Sequence, residues 1–235
     1  MELAIVMPAY NEAECISQVA LSWLRVTEPM GARLIIVDDG STDKTGIILE
    51  QLAKAHPRLL IKHQKNAGHG AAVMSGYHAA LALNPRFVFQ TDSDDQFPPE
   101  EIHKLWEKRH EASLILGYRK ERFDPWYRKT ISRTLRWSIR LLFQVKIKDA
   151  NIPFRLIQAD ALKMLLQQIP QTVFAPNIFL SVIAAKNKIS VLTVPITHRE
   201  RKTGQVSIIR WTLLKVCFRS FEELWSFRKA PTYAS

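Results

Sequence analysis

Four short apolar runs, each followed by a polar loop and a helix-forming segment, constrain the fold of this chain more than any other feature. The runs lie at residues 3–7, 34–37, 59–61 and 87–89, and their unbroken apolar character is typical of strands that are buried on both faces. The segments between them carry apolar residues at helical spacing. This alternation predicts an α/β fold with a mostly parallel central sheet flanked by helices.

The loop after the fourth run is rich in aspartate. In the stretch TDSDDQFPPEEI at residues 91–102, Asp92, Asp94 and Asp95 directly follow the strand, at the sheet edge where ligands bind in open parallel sheets. Carboxylates this close repel one another, and a divalent cation such as Mg²⁺ or Mn²⁺ would offset the repulsion and bind a substrate's phosphates. The alternative is a polar turn whose aspartates cap the next helix.

The other loops are also polar and built from small residues. They carry the strings PAYNE at residues 8–12, VDDGSTDKT at 37–45 and NAGHGAAVMSG at 66–76. Gly68 and Gly70 permit close approach to a ligand, and the helix N-terminus that follows favours an anion. The chain has no G-x-x-x-x-G-K-[ST] motif and no G-x-G-x-x-G after the first run, which argues against a Walker-type nucleotidase and against a dehydrogenase.

The charge of the chain predicts an anionic partner. Lys and Arg number 33 against 22 Asp and Glu, for a net charge of +11, which favours a nucleic acid, an anionic membrane or a phosphorylated substrate. No nucleic-acid-binding module is recognisable, so we expect no nucleic acid. The two cysteines, Cys15 and Cys217, form no metal pattern and are interpreted as free thiols. Without a signal-peptide or membrane-spanning pattern, we expect a cytoplasmic protein, peripheral on the inner face of the membrane.

The second half contains a basic amphipathic segment at residues 126–145, in which no acidic residue occurs. We predict that this helix lies in the headgroup region of an anionic membrane; the alternative is a surface helix packed on the core with solvated charges. We expect residues 1–207 to form one domain and residues 208–235 an amphipathic helical appendage. That appendage would dock on the domain, on the membrane or on a second subunit.

Taken together, the strings at 8–12, 37–45, 66–76 and 91–102 resemble the N-terminal half of family 2 inverting glycosyltransferases. Within that family the chain is most similar to polyprenyl-phosphate glycosyltransferases, dolichyl-phosphate mannose synthase among them. The resemblance covers about residues 3–207. It implies a GT-A fold, which is an α/β fold that binds a nucleotide sugar.

The resemblance implies the following roles on the donor side. Pro8, Tyr10 and Glu12 would contact the nucleoside, with Asp39 on its base. The alternatives are a packing role for Tyr10 and a turn or cap for Asp39. Asp92, Ser93 and Asp94 match the D-x-D motif. Asp92 would lie near the ribose and the metal, and Asp94 would ligate the metal directly. Ser93 would be part of the nucleotide-sugar site.

A loop at residues 198–207 resembles the family's H-x-x-R-x-x-G-x-S motif, with one extra residue before Ser207. In the family this loop closes over the diphosphate. Arg201 would neutralise phosphate charge, Gly204 would let the loop fold over, and His198 would approach the metal. The alternative is a solvated basic loop.

The acceptor side of the resemblance involves two further motifs. Gly117 and Arg119 match a G-x-R motif, and Asp149 to Arg155 match D-x-x-x-G-F-R except that Pro153 replaces the usual glycine, which puts the acceptor type in doubt. Arg119 and Arg155 would bind an acceptor phosphate. Asp149 would be a general base for a hydroxyl acceptor, or would position groups for a phosphate, which is already an anion. A third alternative is an ion pair between Asp149 and Arg155.

The sequence therefore predicts a metal-dependent inverting glycosyltransferase that moves a sugar from a nucleotide-diphosphate sugar to a polyprenyl phosphate at the cytosolic membrane face. Asp94, Asp149 and Arg201 are the predicted catalytic residues. One alternative is the same fold acting on a hydroxyl of a polysaccharide or glycolipid, with Asp149 as base. Another is a non-catalytic membrane-surface binding protein. The sequence does not fix the donor base, the sugar, the lipid length or the oligomeric state.

Overall fold

Seven strands lie in the part of the chain that the structure describes, and they form one sheet. The structure is a computed structural model that describes residues 1–119, 134, 137–145, 147, 149–170, 173–199, 222–223 and 225–226. The strands are β1 (Leu3–Ala9), β2 (Arg33–Asp38), β3 (Leu59–His63), β4 (Phe87–Gln90), β5 (Leu114–Arg119), β6 (Arg155–Gln158) and β7 (Val191–Ile196).

Helices follow most of these strands and cover the sheet. The first helix begins at Ile16, after a turn closed by a hydrogen bond from Cys15 N to Glu12 O. Two 3₁₀ turns lie at Glu28–Met30 and Pro99–Glu101. The helices are α1 (Ile16–Val26), α2 (Thr45–Ala55), α3 (His69–Ala82), α4 (Ile102–Trp106), α5 (residues 137–143), α6 (Ala159–Leu166) and α7 (Pro176–Lys186).

The strand order is β3-β2-β1-β4-β6-β5-β7. The first four strands pair in parallel. Strand β6 is antiparallel to both β4 and β5, and β7 pairs in parallel with β5 at the sheet edge. Two antiparallel steps restore the original direction, so β5 and β7 run the same way as β1 to β4. The predicted mostly parallel sheet is therefore confirmed, while β6 was not predicted as a strand.

An aromatic cluster fixes the start of the acidic loop against the sheet. Phe89 of β4 lies 4.7 Å from Phe154, and Phe97 lies 5.3 Å from Phe154 on its other side, measured between ring centroids. Trp23 of α1 packs on Phe89 at 5.6 Å. Burying a side chain such as Phe97 contributes about 1.5–3 kcal/mol relative to leaving it exposed. The residues after Asp94 are thus held by the core.

Helix α3 packs directly on β1 and on the segment before α7. A Cβ atom added at Gly76 would lie 2.3 Å from Val6 Cγ1, and one at Gly70 would lie 2.3 Å from the carbonyl oxygen of Phe174. Only glycine permits these approaches. The N-terminus of α3 is therefore held in a fixed place at the sheet edge.

The segment predicted as a basic amphipathic helix falls largely outside the described residues. Its described part, α5, buries one face and exposes the other. Ile139, Leu142 and Phe143 are buried, whereas Trp137 is 73% and Leu141 67% exposed. That the basic residues of 126–145 lie together on one face of a helix stays a prediction. Across the described residues, no helix is both long enough and apolar enough to cross a bilayer.

The predicted appendage at 208–235 is described only at residues 222–223 and 225–226, which are helical. Glu223 Oε2 accepts a hydrogen bond of 3.0 Å from the backbone N–H of Phe174. Glu223 therefore contacts the segment before α7.

Candidate active site at the carboxyl edge of the sheet

The loops that carry the sequence motifs meet at one edge of the sheet. Six strands, β1 to β5 and β7, end at this edge, and the antiparallel β6 begins there. Hydrogen bonds between neighbouring strand ends, from Asp39 N to Ala9 O and from Thr91 N to Val6 O, hold the exits in register. The structure therefore places the predicted donor-side residues along one rim. Arg119 ends β5 and His198 follows β7, so both lie at the same rim.

Asp39 anchors the loop that leads into α3. Its carboxylate is buried, and it accepts hydrogen bonds from Gln64 Nε2 at 2.7 Å, Ala67 N at 3.0 Å and Gly68 N at 2.8 Å. Hydrogen bonds to an ionised carboxylate are among the stronger ones in proteins. Asp39 thus shapes the loop at residues 64–68, and its contact with a nucleoside base stays a prediction. Sequence reasoning did not identify Gln64.

Asn11 joins the loop after β1 to the loop after β2. Its backbone lies in the left-handed region with φ of 53°, which asparagine tolerates better than most residues. Asn11 Oδ1 accepts a hydrogen bond of 2.8 Å from Thr42 N, and Asn11 N donates to Ser41 Oγ at 3.0 Å. Asn11 was not singled out, although it lies inside the PAYNE string and its type is a signal for this backbone conformation.

The residues predicted to contact the nucleoside lie at different depths. Pro8 is buried inside β1, where it pairs with Val37. Tyr10 is 43% exposed at the rim, so it is not the buried packing residue that was considered as the alternative. Glu12 N donates to Thr45 Oγ1, and the buried thiol of Cys15 lies 3.3 Å from Glu12 Oε2 and 3.7 Å from Ser93 O. Cys15 is a free thiol as predicted.

Behind this rim, His63 bridges two carboxylates. Its Nδ1 lies 2.9 Å from Asp38 Oδ2 and its Nε2 lies 2.7 Å from Glu50 Oε1. Hydrogen bonds with Glu50 and Asp38 raise the pKa of His63 above its ordinary value, against the opposing effect of burial. Asp38 Oδ1 also accepts a hydrogen bond from Ser41 N. The His63 ring therefore joins α2 to the base of the β2–α2 loop, and its raised pKa means that these contacts favour the protonated form.

We expect the stability of the protein to include a His63 contribution that is present at low pH and lost at high pH. A group whose pKa is raised on folding stabilises fully below its unfolded pKa, about 6.5 for histidine, and loses that effect as pH rises through the folded pKa. Urea unfolding of the wild type and His63→Gln should show a stability difference that is largest at low pH and shrinks as the pH rises above about 6.5. The contribution is modest because the ring is 45% exposed. A stability difference that does not change with pH would contradict this.

The acidic loop places two carboxylates on either side of a buried serine. Asp92 and Asp94 are half-buried and Ser93 is buried. Asp92 Oδ1 lies 3.9 Å from His69 Nε2 at the start of α3, and Asp94 Oδ1 accepts a hydrogen bond of 3.2 Å from Gln96 N. The following helical turn begins after Pro98 without a side-chain cap. The aspartates therefore do not cap that turn, which was the alternative interpretation.

The chain returns to this loop after β7. Arg199 N donates a hydrogen bond of 2.8 Å to Gln96 O, and the ring of His198 packs edge-on against Phe97 at 5.1 Å between centroids. The structure thus brings His198 to the acidic loop. Arg201, Gly204 and Ser207 lie outside the described residues, and the roles predicted for them stay predictions.

These residues fit a divalent cation that a substrate helps to hold. Within the described ranges, no three His, Cys, Asp or Glu side chains group into a ligand set for an ion. A complete protein cage is not required, because Mg²⁺ is commonly held by one or two carboxylates together with substrate phosphates and water. Asp92 and Asp94 would supply those carboxylates, beside the N-terminus of α3, which favours anions.

On the acceptor side, Arg119 and Asp149 form an ion pair. Arg119 Nη2 donates to Asp149 Oδ2 at 2.9 Å, and both side chains are largely buried at 17% and 16% exposure. The pair connects the end of β5 to the segment that precedes β6. Asp149 therefore pairs with Arg119 and not with Arg155, which was the third alternative.

Arg155 is a structural residue, and its predicted role as a phosphate ligand is wrong. It is fully buried, and its guanidinium donates hydrogen bonds to the carbonyl oxygens of Ile152, Ala150 and Asn177. Burial lowers its pKa. With these backbone partners, Arg155 ties the segment after Asp149 to the start of α7 and does not reach the rim.

A mostly parallel sheet with an acidic pair at its carboxyl edge, beside the N-terminus of α3, has the architecture of a GT-A-type fold. The family model described as "Glycosyl transferase family 2" matches residues 4–165. The chain belongs to glycosyl transferase family 2, and the expected family is confirmed.

Curated relatives match the predicted resemblance within that family. Polyprenol monophosphomannose synthase of Mycolicibacterium smegmatis is 29% identical over 95% of this chain and 86% of its own length. Undecaprenyl-phosphate 4-deoxy-4-formamido-L-arabinose transferase of Edwardsiella ictaluri is 26% identical over 86% of this chain, which spans 62% of that relative's length. Both names specify polyprenyl-phosphate glycosyltransferases, the group expected from the motifs.

Solved structures share the fold. Glucosyl-3-phosphoglycerate synthase from Mycobacterium tuberculosis, crystallised with Mn²⁺, uridine diphosphate and phosphoglyceric acid, superposes with a TM-score of 0.75 at 17% identity, over 98% of this chain and 79% of that one. A crystal of the same enzyme with Mn²⁺ and UDP-glucose gives a TM-score of 0.69 at 19% identity, with 98% and 80% of the two chains covered. At these identities the likeness establishes the GT-A-like fold.

Proposed function

We propose that this protein is a metal-dependent inverting glycosyltransferase that moves a sugar from a nucleotide-diphosphate sugar to a polyprenyl phosphate. The observation that carries the proposal is the position of Asp92 and Asp94. They lie at the carboxyl edge of the sheet, where Asp92 Oδ1 is 3.9 Å from His69 Nε2 at the start of α3. The same loop is joined to Arg199 N through the carbonyl oxygen of Gln96. Two relatives whose names specify a polyprenyl or undecaprenyl phosphate support the acceptor, and a structural neighbour that binds Mn²⁺ and uridine diphosphate supports the donor.

On the donor side, the residues of the rim would bind the nucleotide sugar. Pro8, Tyr10 and Glu12 would line the nucleoside, Asp39 would face its base, and Ser93 would lie under the sugar. A cation held by Asp92 and Asp94, with His198 nearby, supplies Lewis-acid stabilisation of the diphosphate leaving group. Arg201 would add positive charge to that same end of the site.

On the acceptor side, the ion pair of Arg119 and Asp149 favours a phosphate over a hydroxyl. A hydroxyl acceptor needs a general base, and here the Asp149 carboxylate accepts a hydrogen bond from Arg119. A phosphate is already an anion at neutral pH and needs no base. Arginine binds phosphate through a planar fork of N–H donors, so Asp149 acts by holding that fork toward the acceptor.

The membrane face of the protein would lie at α5. Trp137 and Leu141 point outward at 73% and 67% exposure, next to exposed Arg140. Aromatic, aliphatic and basic side chains on one helix surface suit the headgroup region of an anionic bilayer. We infer a peripheral position on the cytoplasmic face, where a polyprenyl phosphate would present its phosphate to the rim.

A transfer assay with a paired acceptor tests the proposal. Radiolabelled sugar from a panel of UDP- and GDP-sugars should enter the lipid fraction when polyprenyl phosphate and Mn²⁺ are present. The free polyprenol, which has the same chain and lacks the phosphate, should accept no label. Equal labelling of polyprenol would favour the hydroxyl-acceptor alternative.

Calorimetry separates an enzyme from a binding protein that has kept the fold. We expect UDP or GDP to bind with Mn²⁺ present and to bind at least about tenfold more weakly once EDTA removes it, since the cation would bridge protein carboxylates and diphosphate. Binding that does not depend on Mn²⁺, or no nucleotide binding at all, would contradict a metal-dependent donor site.

A further inference from the structure

A half-buried glutamate connects the end of β7 to the acidic loop. Glu101 Oε2 accepts a hydrogen bond of 3.0 Å from Thr197 N, and both carboxylate oxygens contact Lys104 Nζ, at 2.9 and 2.7 Å. The Glu101 side chain is only 12% exposed. Burial opposes its ionisation, yet the hydrogen bonds from Lys104 and Thr197 prevail and its pKa lies below the ordinary value. Glu101 is therefore a charged acceptor aimed at the backbone of another element.

Two backbone contacts flank His198. On one side, Thr197 N is held by Glu101, and on the other, Arg199 N is held by Gln96 O at 2.8 Å. Both partners belong to residues 96–101, directly after Asp94. Between these two points the His198 ring packs on Phe97, which the core holds through Phe154. The position of His198 relative to Asp92 and Asp94 thus depends on how far the Glu101 side chain extends.

The ion pair between Glu101 and Lys104 does not by itself explain why Glu101 accepts the hydrogen bond from Thr197 N. Glu111 and Lys108 form an ion pair at the same sequence spacing and a similar distance, 3.0 Å, but the Glu111 side chain is 54% exposed. Exposed pairs of this kind contribute little to stability. The Glu101 side chain is less exposed, at 12%, and it accepts a hydrogen bond from a residue 96 positions away in the chain.

We propose that Glu101 is a positioning residue for the metal end of the site. By accepting the Thr197 N–H, it fixes His198 beside the acidic loop, and so it sets the affinity for a divalent cation bound together with a nucleotide diphosphate. This inference rests on the proposed function. The effect on cation affinity depends on the length of the Glu101 side chain and not on its charge.

Two conservative changes separate the effect of side-chain length from the effect of charge. Glu101→Gln keeps an acceptor oxygen at the same reach and loses the charge, whereas Glu101→Asp keeps the charge and withdraws the acceptor by one methylene. Matched controls are Glu111→Gln and Glu111→Asp. The first readout is the dissociation constant of Mn²⁺ in the presence of UDP or GDP, measured by electron paramagnetic resonance. The second is the Mn²⁺-induced broadening of the His198 ring signal, assigned with His198→Gln.

The expected result is specific to one variant. Glu101→Asp should weaken Mn²⁺ binding about tenfold, as loss of an outer-shell contact does, and should reduce the broadening of His198. Glu101→Gln and both controls should stay within about twofold of the wild type, well inside that outer-shell effect. Wild-type behaviour of Glu101→Asp, or a loss in Glu101→Gln as large as in Glu101→Asp, would overturn the inference. Absence of Mn²⁺ binding in the wild type would instead overturn the proposed metal site, which distinguishes the two failures.

Discussion

Replacing Asp94 with asparagine should lower the rate of sugar transfer by about 10²–10³-fold, the size of effect seen when a transition-state charge stabiliser is removed. Asparagine keeps a side-chain oxygen that can accept the hydrogen bond from Gln96 N, now 3.2 Å from Asp94 Oδ1. It removes the negative charge that would hold the cation. The local fold should therefore persist, and initial rates at saturating donor should report the chemistry alone.

The neighbouring aspartate provides a matched control in the same loop. Asp95 has a φ of 56°, a left-handed conformation that asparagine also adopts readily, so Asp95→Asn removes one charge without backbone strain. We expect nearly wild-type transfer from Asp95→Asn. Near-normal activity in Asp94→Asn would refute the metal assignment. Equal losses in both variants would show that the net charge of the loop matters and not the carboxylate of Asp94.

The first four strands could be predicted because the local sequence alone identifies them. Each is a continuous apolar run, and such runs are typical of buried parallel strands. Their order along the chain, with a helix after each, is enough to place the following loops at one edge of the sheet. The position of Asp39 and Asp92 at that edge followed from the pattern alone.

Strand β6 could not be predicted in the same way. It has four residues and begins with Arg155, a residue type that is almost never fully buried unless paired. Its burial depends on carbonyl oxygens of Ala150, Ile152 and Asn177, which only the folded chain brings together. The same lack of tertiary information led to the wrong prediction that Arg155 binds a phosphate.

The residues that sequence reasoning missed act through contacts between distant segments. Gln64 lies 25 positions from Asp39, and Glu101 lies 96 positions from Thr197. Gln64 lies outside the quoted motifs, and Glu101 lies near the end of the stretch 91–102 without a role that its residue type alone predicts. Their roles depend on strand order, which sets the order of the loops along the rim.

Arg119→Met should reduce kcat/KM for a polyprenyl phosphate by about 10²-fold, since hydrogen bonds to charged groups contribute about 1.5–3 kcal/mol each and arginine can make two of them to one phosphate. Asp149→Asn should cost about tenfold or less, because its amide oxygen can still accept the hydrogen bond that Arg119 now donates at 2.9 Å. Steady-state kinetics with the acceptor varied would measure both. If Asp149 were the base for a hydroxyl acceptor, its loss would instead cost about 10²-fold or more.

The double variant shows whether the loss at Arg119 belongs to the acceptor or to the fold. Arg119→Met alone leaves the Asp149 carboxylate, 16% exposed, without the partner that it now has, and this is destabilising by itself. Combining it with Asp149→Asn removes that unpaired charge. A rate that stays low in the double variant, with thermal stability restored, means that Arg119 contacts the acceptor. Recovery of the rate would mean that the pair serves only to hold β5 to the segment before β6, and that the acceptor phosphate is bound elsewhere.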